Sequence, residues 1–171
     1  MDLQRIREIT AYNANARTAC KDALRTWLNG HMQEFQFAVT LTLKQSYKVK
    51  NNNGVYMRKL KREDCEGIAK RFTQKLNKQA YGHAAKRDGK GLRYFATVEG
   101  VGNGKRLHLH LAVGGFEQKP MLFKEMVKNA IALVDGMDEQ HDVQVMDSGW
   151  MEYMTKELNA HSTDNVLWNV A

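Results

Sequence analysis

The stretch "RLHLHLAV", residues 106–113, sets His108 and His110 on alternate positions of a run that otherwise reads Leu107, Leu109, Leu111 and Val113. Such alternation marks a β-strand, in which successive side chains point to opposite faces. Four large aliphatics need a buried face, so both imidazoles fall on the other one. The preceding strand, "RYFATVEG" (93–100), gives Tyr94, Ala96 and Val98 to the core and leaves Phe95, Thr97 and Glu99 on the histidine side. A two-residue type I′ turn at Asn103-Gly104 puts Glu99 opposite His108, with Cβ atoms about 4.5–5.5 Å apart, and Thr97 opposite His110. Gly100 and Gly102 could shift this register through a bulge. Without a shift, one carboxylate and two imidazoles make a three-point site for a divalent cation, with positions left open for water or substrate. Magnesium or manganese suits a phosphate substrate better than zinc, because those ions favour oxygen ligands and exchange waters.

A metal that polarises a phosphodiester calls for a nucleophile. "GWMEYMTKEL" (149–158) reads as a short helix whose packing stripe is Trp150, Met154 and Leu158, with Tyr153 and Lys156 neighbours on its surface. A phenol has a pKa of about 10 in water and attacks poorly unless its anion is stabilised. Lys156 could help there, or could hold a phosphate. A tyrosine in an amphipathic helix is otherwise a packing residue.

The elements that must position these groups can be read from periodicity. Apolar and small residues recur three or four apart from Leu3 to Leu28, predicting one or two helices that end near Asn29-Gly30. "FQFAVTLTL" (35–43) alternates as a strand, with Phe35, Phe37, Val39, Leu41 and Leu43 on one face and Thr40 and Thr42 on the other. Residues 46–61 form a basic loop or hairpin turning at Asn52-Asn53-Gly54. Ile68, Phe72, Leu76 and Ala80, each four apart, predict a helix from Arg62 to about Tyr81. Pro120 introduces a helix over 121–134, "HDVQVM" (141–146) is a strand, and "NVLWNV" near the end is a candidate last strand. The core order is strand, helix, strand, strand, helix, strand. The expected fold is α+β: a ferredoxin-like or RNA-recognition-motif-like antiparallel sheet, with helices packed on one face and the active site on the other. A single domain over 1–171 with an N-terminal helical extension at about 1–30 accounts for the whole chain.

Charge points to a polyanionic partner. The chain carries a formal +7, but residues 44–93 hold 15 Lys and Arg against 4 Asp and Glu, whereas residues 115–171 hold 4 against 10. A one-sided positive surface attracts nucleic acid, although a solvated lysine-rich helix would leave the same signature. Lys48, Lys50, Arg58, Lys59, Lys61 and Arg62 are the candidate phosphate contacts, with Thr40 and Thr42 on the open sheet face as further candidate DNA contacts. No apolar run approaches membrane-spanning length and nothing near the start reads as a signal peptide, so an intracellular protein without a membrane partner is expected. Cys20 and Cys65 lack the spacing of a metal site or disulfide framework.

Taken in order, "FAVTLTL", "HLHLAV" and "YMTK" resemble the three motifs of the HUH endonucleases, named for histidine, hydrophobic, histidine. They are most similar to the single-tyrosine Rep proteins that initiate rolling-circle replication, over roughly residues 35–158. The resemblance implies that His108 and His110 are metal ligands with Glu99 as the third, and that manganese or magnesium is the cofactor. It makes Tyr153 the nucleophile on single-stranded DNA at a replication origin, leaving a 5′-phosphotyrosine and a free 3′-hydroxyl, with Lys156 assisting at phosphate or metal. Relaxases place the tyrosine before the histidines, the reverse of the order here. Two-tyrosine members need a second tyrosine one turn away, where this chain has Gly149 and Glu157. No G-x-x-x-x-G-K-[ST] phosphate loop occurs, so a helicase would be a separate partner or lie outside this chain. The implied location is the cytoplasm of a bacterial, plasmid or phage host, or the host nucleus for a eukaryotic virus. The alternatives are a single-strand DNA transposase of the same superfamily and a non-catalytic nucleic-acid-binding module, whose open face would carry aromatics for base stacking.

Overall fold

The computed structural model describes residues 2–12, 17–101, 105–117, 119–158 and 165–170. Two helices, α1 (Leu3–Tyr12) and α2 (Arg17–His31), precede strand β1 (Phe37–Leu43). A separate two-stranded hairpin follows, β2 (Ser46–Asn51) and β3 (Gly54–Lys59). Then come α3 (Arg62–Tyr81), the single turn α4 (Ala84–Arg87), β4 (Arg93–Glu99), β5 (His108–Gly114), α5 (Pro120–Ala132), β6 (Met137–Val145) and α6 (Ser148–Met154). The four long strands form one antiparallel sheet in the order β4-β5-β1-β6. Helix α3 connects β1 to β4 and α5 connects β5 to β6, so the fold is ferredoxin-like α+β with the β2–β3 hairpin inserted ahead of the first connecting helix. Among the described residues no helix is long and apolar enough to cross a membrane.

Alternation decides the two faces as expected, except at Phe35: β1 starts only at Phe37, and Phe35, expected beside Phe37, lies before the strand and packs into the core on the opposite face. Phe37, Val39, Leu41 and Leu43 of β1, Ala96 and Val98 of β4, and Leu109, Leu111 and Val113 of β5 pack with Ile68, Phe72 and Leu76 of α3 and Phe123 and Val127 of α5. All are buried. The hydrophobic effect fixes this side of the sheet, because burying each such side chain is worth about 1.5–3 kcal/mol.

The opposite face is not left open. Phe95 and Ala112 on that face pack with Ile6, Leu24 and Leu28 of the N-terminal helices and with Met151 and Met154 of α6, forming a second small core. Phe95 is fully buried there, and its ring lies 6.4 Å from that of Trp27. The expected uncovered sheet therefore shrinks to its end near Glu99 and His108, which are partly exposed, while His110 is buried.

Three boundary differences bear on the site. β6 begins at Met137, four residues before the expected start, and pairs with β1 across a bulge between Leu41 and Leu43. α6 stops at Met154, so Lys156 follows in a turn and Leu158 comes just after that turn, neither of them on the helix. The expected last strand reduces to one bridge, Val166 opposite Thr97, with the Val98 amide donating to the Asn165 carbonyl at 2.7 Å and the Leu167 amide to that of Ala96 at 2.9 Å. This short pairing covers the outer edge of β4.

Candidate active site at the end of the sheet

Register brings the site together. Glu99 pairs with His108 and Thr97 with His110 across β4 and β5, the alignment a type I′ connection demands. Asn103 and Gly104 themselves lie outside the described residues. Gly100 opens the connection at φ +95°, and a Cβ there would lie 2.4 Å from the Arg106 carbonyl oxygen, so only glycine fits that close approach. No bulge interrupts the pairing up to Glu99 and His108. On the other side of β5, Thr40 pairs with His110 and Thr42 with His108.

Helix α6 is fastened over this end. The Asp147 carboxylate caps it by accepting from the Trp150 amide at 3.0 Å. Thr97 Oγ1 donates to the Met154 carbonyl at 3.0 Å, and the Gly100 amide donates to Glu157 at 3.3 Å. Arg25 Nε of α2 donates to Thr155 Oγ1 at 3.1 Å. These bonds tie the turn holding Lys156 to the end of β4 that carries Glu99.

The Glu99 carboxylate stands at the centre. Its Oε2 lies 2.7 Å from His110 Nε2 and its Oε1 accepts from Lys156 Nζ at 2.9 Å. His110 Nδ1 lies 3.2 Å from Thr40 Oγ1, so both ring nitrogens are engaged. Lys156 Nζ also sits 3.8 Å from the centroid of the Tyr153 ring. Tyr153 meets the His110 ring edge to face at 5.1 Å and stacks on Trp150 at 5.3 Å. His110 is 2% exposed and Tyr153 is 43% exposed, so the phenol is open to solvent while the imidazole beneath it is not.

Burial and charge pull against each other here. Burial pushes the Glu99 carboxyl up, but the hydrogen bonds from Lys156 and His110 outweigh it and hold the group below the ordinary carboxylate range. Burial lowers the His110 imidazole, and the nearby charges of Lys156 and His108 act in the same direction against the opposing pull of Glu99, so it stays below its usual value. Lys156 is lowered by burial but raised more by Glu99 and Tyr153, and it remains an ammonium. The carboxylate is thus ionised and the imidazole neutral, the forms in which each can ligate a metal.

Among the described residues no three His, Cys, Asp or Glu side chains are gathered closely enough to form a metal shell. The donor chemistry nevertheless fits a divalent ion. Glu99 and His110 already face one another at 2.7 Å. His108 is partly exposed on the same face, opposite Glu99. With Nδ1 of His110 engaged by Thr40, Nε2 is the nitrogen turned toward the carboxylate.

The candidate DNA contacts divide into groups. Thr42 is 3% exposed and Thr40 spends its hydroxyl on His110, so neither presents a free contact in this state. Arg58 is bonded to Asp64 and Tyr47, fastening the hairpin to the start of α3. Lys48 and Lys50 are exposed on the hairpin, while Lys59, Lys61 and Arg62 stand at its base beside β1 and the β4–β5 connection. Sequence reasoning missed Thr40 as the partner of His110 and Trp150 as a ring partner of both His110 and Tyr153. The role of Thr40 follows only from the β1–β5 register, and Trp150 occupies what reads in the sequence as an ordinary packing position.

Comparison with known proteins gives no match to any family model, curated protein or solved structure.

Proposed function

We propose that this chain is a metal-dependent endonuclease that nicks and rejoins single-stranded DNA through Tyr153, initiating rolling-circle replication. The observation that carries this reading is the joining of Tyr153, Lys156, Glu99 and His110 into one contact chain on a strongly basic protein. Glu99, His108 and His110 would hold a magnesium or manganese ion, which supplies a Lewis acid for a non-bridging phosphoryl oxygen.

The chain's own residues account for the rest. Tyr153 Oη attacks phosphorus, a new P–O bond forms to the phenol, and the bond from phosphorus to the 3′ oxygen breaks. The phenol loses its proton to solvent, and the departing 3′ oxygen takes one up to become a hydroxyl. Lys156 keeps a positive charge beside the ring while negative charge builds on the transferring group. The phosphotyrosine conserves the bond energy, so the 3′-hydroxyl can attack it and reseal the strand. Thr40 orients His110, and Thr97, with the Gly100 amide, anchors the α6 end.

A base-stacking module is less well supported, because Phe95, the aromatic expected on the open face, is buried under α2 and α6. A single-strand transposase would use the same groups on a different target. Incubation with a pool of single-stranded oligonucleotides and manganese tests the reading: DNA-linked protein that survives a denaturing gel and disappears with a chelator is expected. No adduct with any member of a pool covering all short sequences would overturn it.

A further inference from the structure

One end of the sheet bears a cleft of about 650 Å³ whose lining includes Lys44, Lys59, Lys61, Arg62, Lys105 and Arg106. Among the described residues no carboxylate lines it. The six cations come from four separate places: the end of β1, the end of the hairpin, the start of α3 and the β4–β5 connection. A helix kept basic for solubility would spread its lysines over one solvated face. Here the fold gathers them around a concavity floored by Leu43, Leu60 and Leu107. Arg106 is braced by Asp138 at 2.6 Å, which lies outside the lining. Low-dielectric walls lined by one sign of charge focus the field on whatever enters.

The cleft also abuts the candidate active site. Gly100 and Leu107 line it, and they are the immediate chain neighbours of Glu99 and His108. We propose that this cleft seats the backbone phosphates of the single strand next to the scissile phosphodiester, with Lys44 and Lys105 among its contacts. The apolar floor would meet sugars and bases, and the rim the phosphates. Cations farther along the hairpin, Lys48 and Lys50, serve a more distant stretch. The assignment of the cleft to the neighbourhood of the nick rests on the nuclease reading above; its assignment as a phosphate site does not.

The test uses the full chain carrying Tyr153→Phe, so that binding is measured without cleavage. Affinity for a fluorescent single-stranded oligonucleotide is followed against salt concentration. Adding Lys44→Ala and Lys105→Ala should weaken binding roughly tenfold at low salt and flatten the log–log salt slope by roughly 1.4, about 0.7 per lost phosphate contact. Lys44→Arg with Lys105→Arg should restore the slope, which separates lost charge from lost folding. An unchanged slope, or binding to duplex that loses affinity while single-strand binding does not, would overturn the proposal. In the otherwise unaltered protein, a benzoylphenylalanine at Gln45, which is exposed on the cleft, should crosslink nucleotides adjoining the nick. One at Tyr56 on the hairpin should mark nucleotides farther away. Crosslinks from Gln45 only at distant nucleotides would overturn the placement. A salt slope flattened by the two lysine substitutions, when the protein that keeps Tyr153 forms no adduct with DNA, would support the cleft as a phosphate site and sink the nuclease reading.

Discussion

Lys156 Nζ lies 2.9 Å from Glu99 Oε1, joining the turn after α6 to the last residue of β4. Through this contact the one exposed phenol of α6 is coupled to the imidazole and carboxylate of the sheet. Glu99→Gln keeps the shape and removes the charge that Lys156 and His110 both use. The expected result is loss of metal-dependent nicking by roughly a hundredfold or more, together with a lower thermal midpoint at neutral pH, because the ionised carboxylate that stabilises the site is gone. Nicking rate under excess manganese checks this, and near-normal rates would remove Glu99 from the metal shell.

Thr40 acts through His110. Its hydroxyl lies 3.2 Å from Nδ1, leaving Nε2 for the ion. Thr40→Val should lower manganese affinity by roughly 10–100-fold, while Thr40→Ser retains it. Titration calorimetry or the loss of the free manganese paramagnetic signal reads the affinity directly. Equal affinities in all three proteins would show that the contact positions nothing.

The N-terminal helices should be structural parts of the sheet's second face. Leu24 is fully buried among Phe95, Met151 and Leu28. Leu24→Ala should cost about 2–5 kcal/mol through lost burial and a residual cavity. Denaturant unfolding measures it, and a loss below half a kcal/mol would mean that α2 does not pack on the sheet in solution.

Acid should weaken the fold through the same site. Glu99 and His110 both titrate below their ordinary values in the native state, so the unfolded chain binds more protons on acidification. Their stabilisation is complete above the unfolded histidine value of about 6.5, and it is lost as pH falls through the native values, first for His110 and then for Glu99. The thermal midpoint should therefore drop between pH 7 and pH 5, and His110→Gln should flatten that drop. A midpoint rising toward acid would contradict the assigned protonation states.

Much of this arrangement was legible in the residues. Leucine alternation around His108 and His110 fixed their face, and the length of the connection placed Glu99 opposite His108, because strand periodicity and turn geometry are local rules. The cover over Phe95 was not legible, since it depends on helices distant in sequence meeting a strand. The engagement of Thr40 with His110 likewise needs the nonlocal pairing of β1 with β5. The early end of α6 reflects packing too: Thr155 turns its hydroxyl back to the Met151 carbonyl at 2.7 Å and takes a bond from Arg25, so the chain leaves the helix where a periodic pattern continues.

The most direct measurement is the chemical identity of the residue that becomes linked to DNA. Trypsin should release residues 129–156 as one peptide, in which Tyr153 is the sole tyrosine. After reaction with a cleavable single-stranded oligonucleotide and nuclease trimming, mass spectrometry should find a nucleotide phosphate on Tyr153, and Tyr153→Phe should carry none while still binding the DNA. A nucleotide attached at another residue, or cleavage by the phenylalanine variant at the normal rate, would contradict the account.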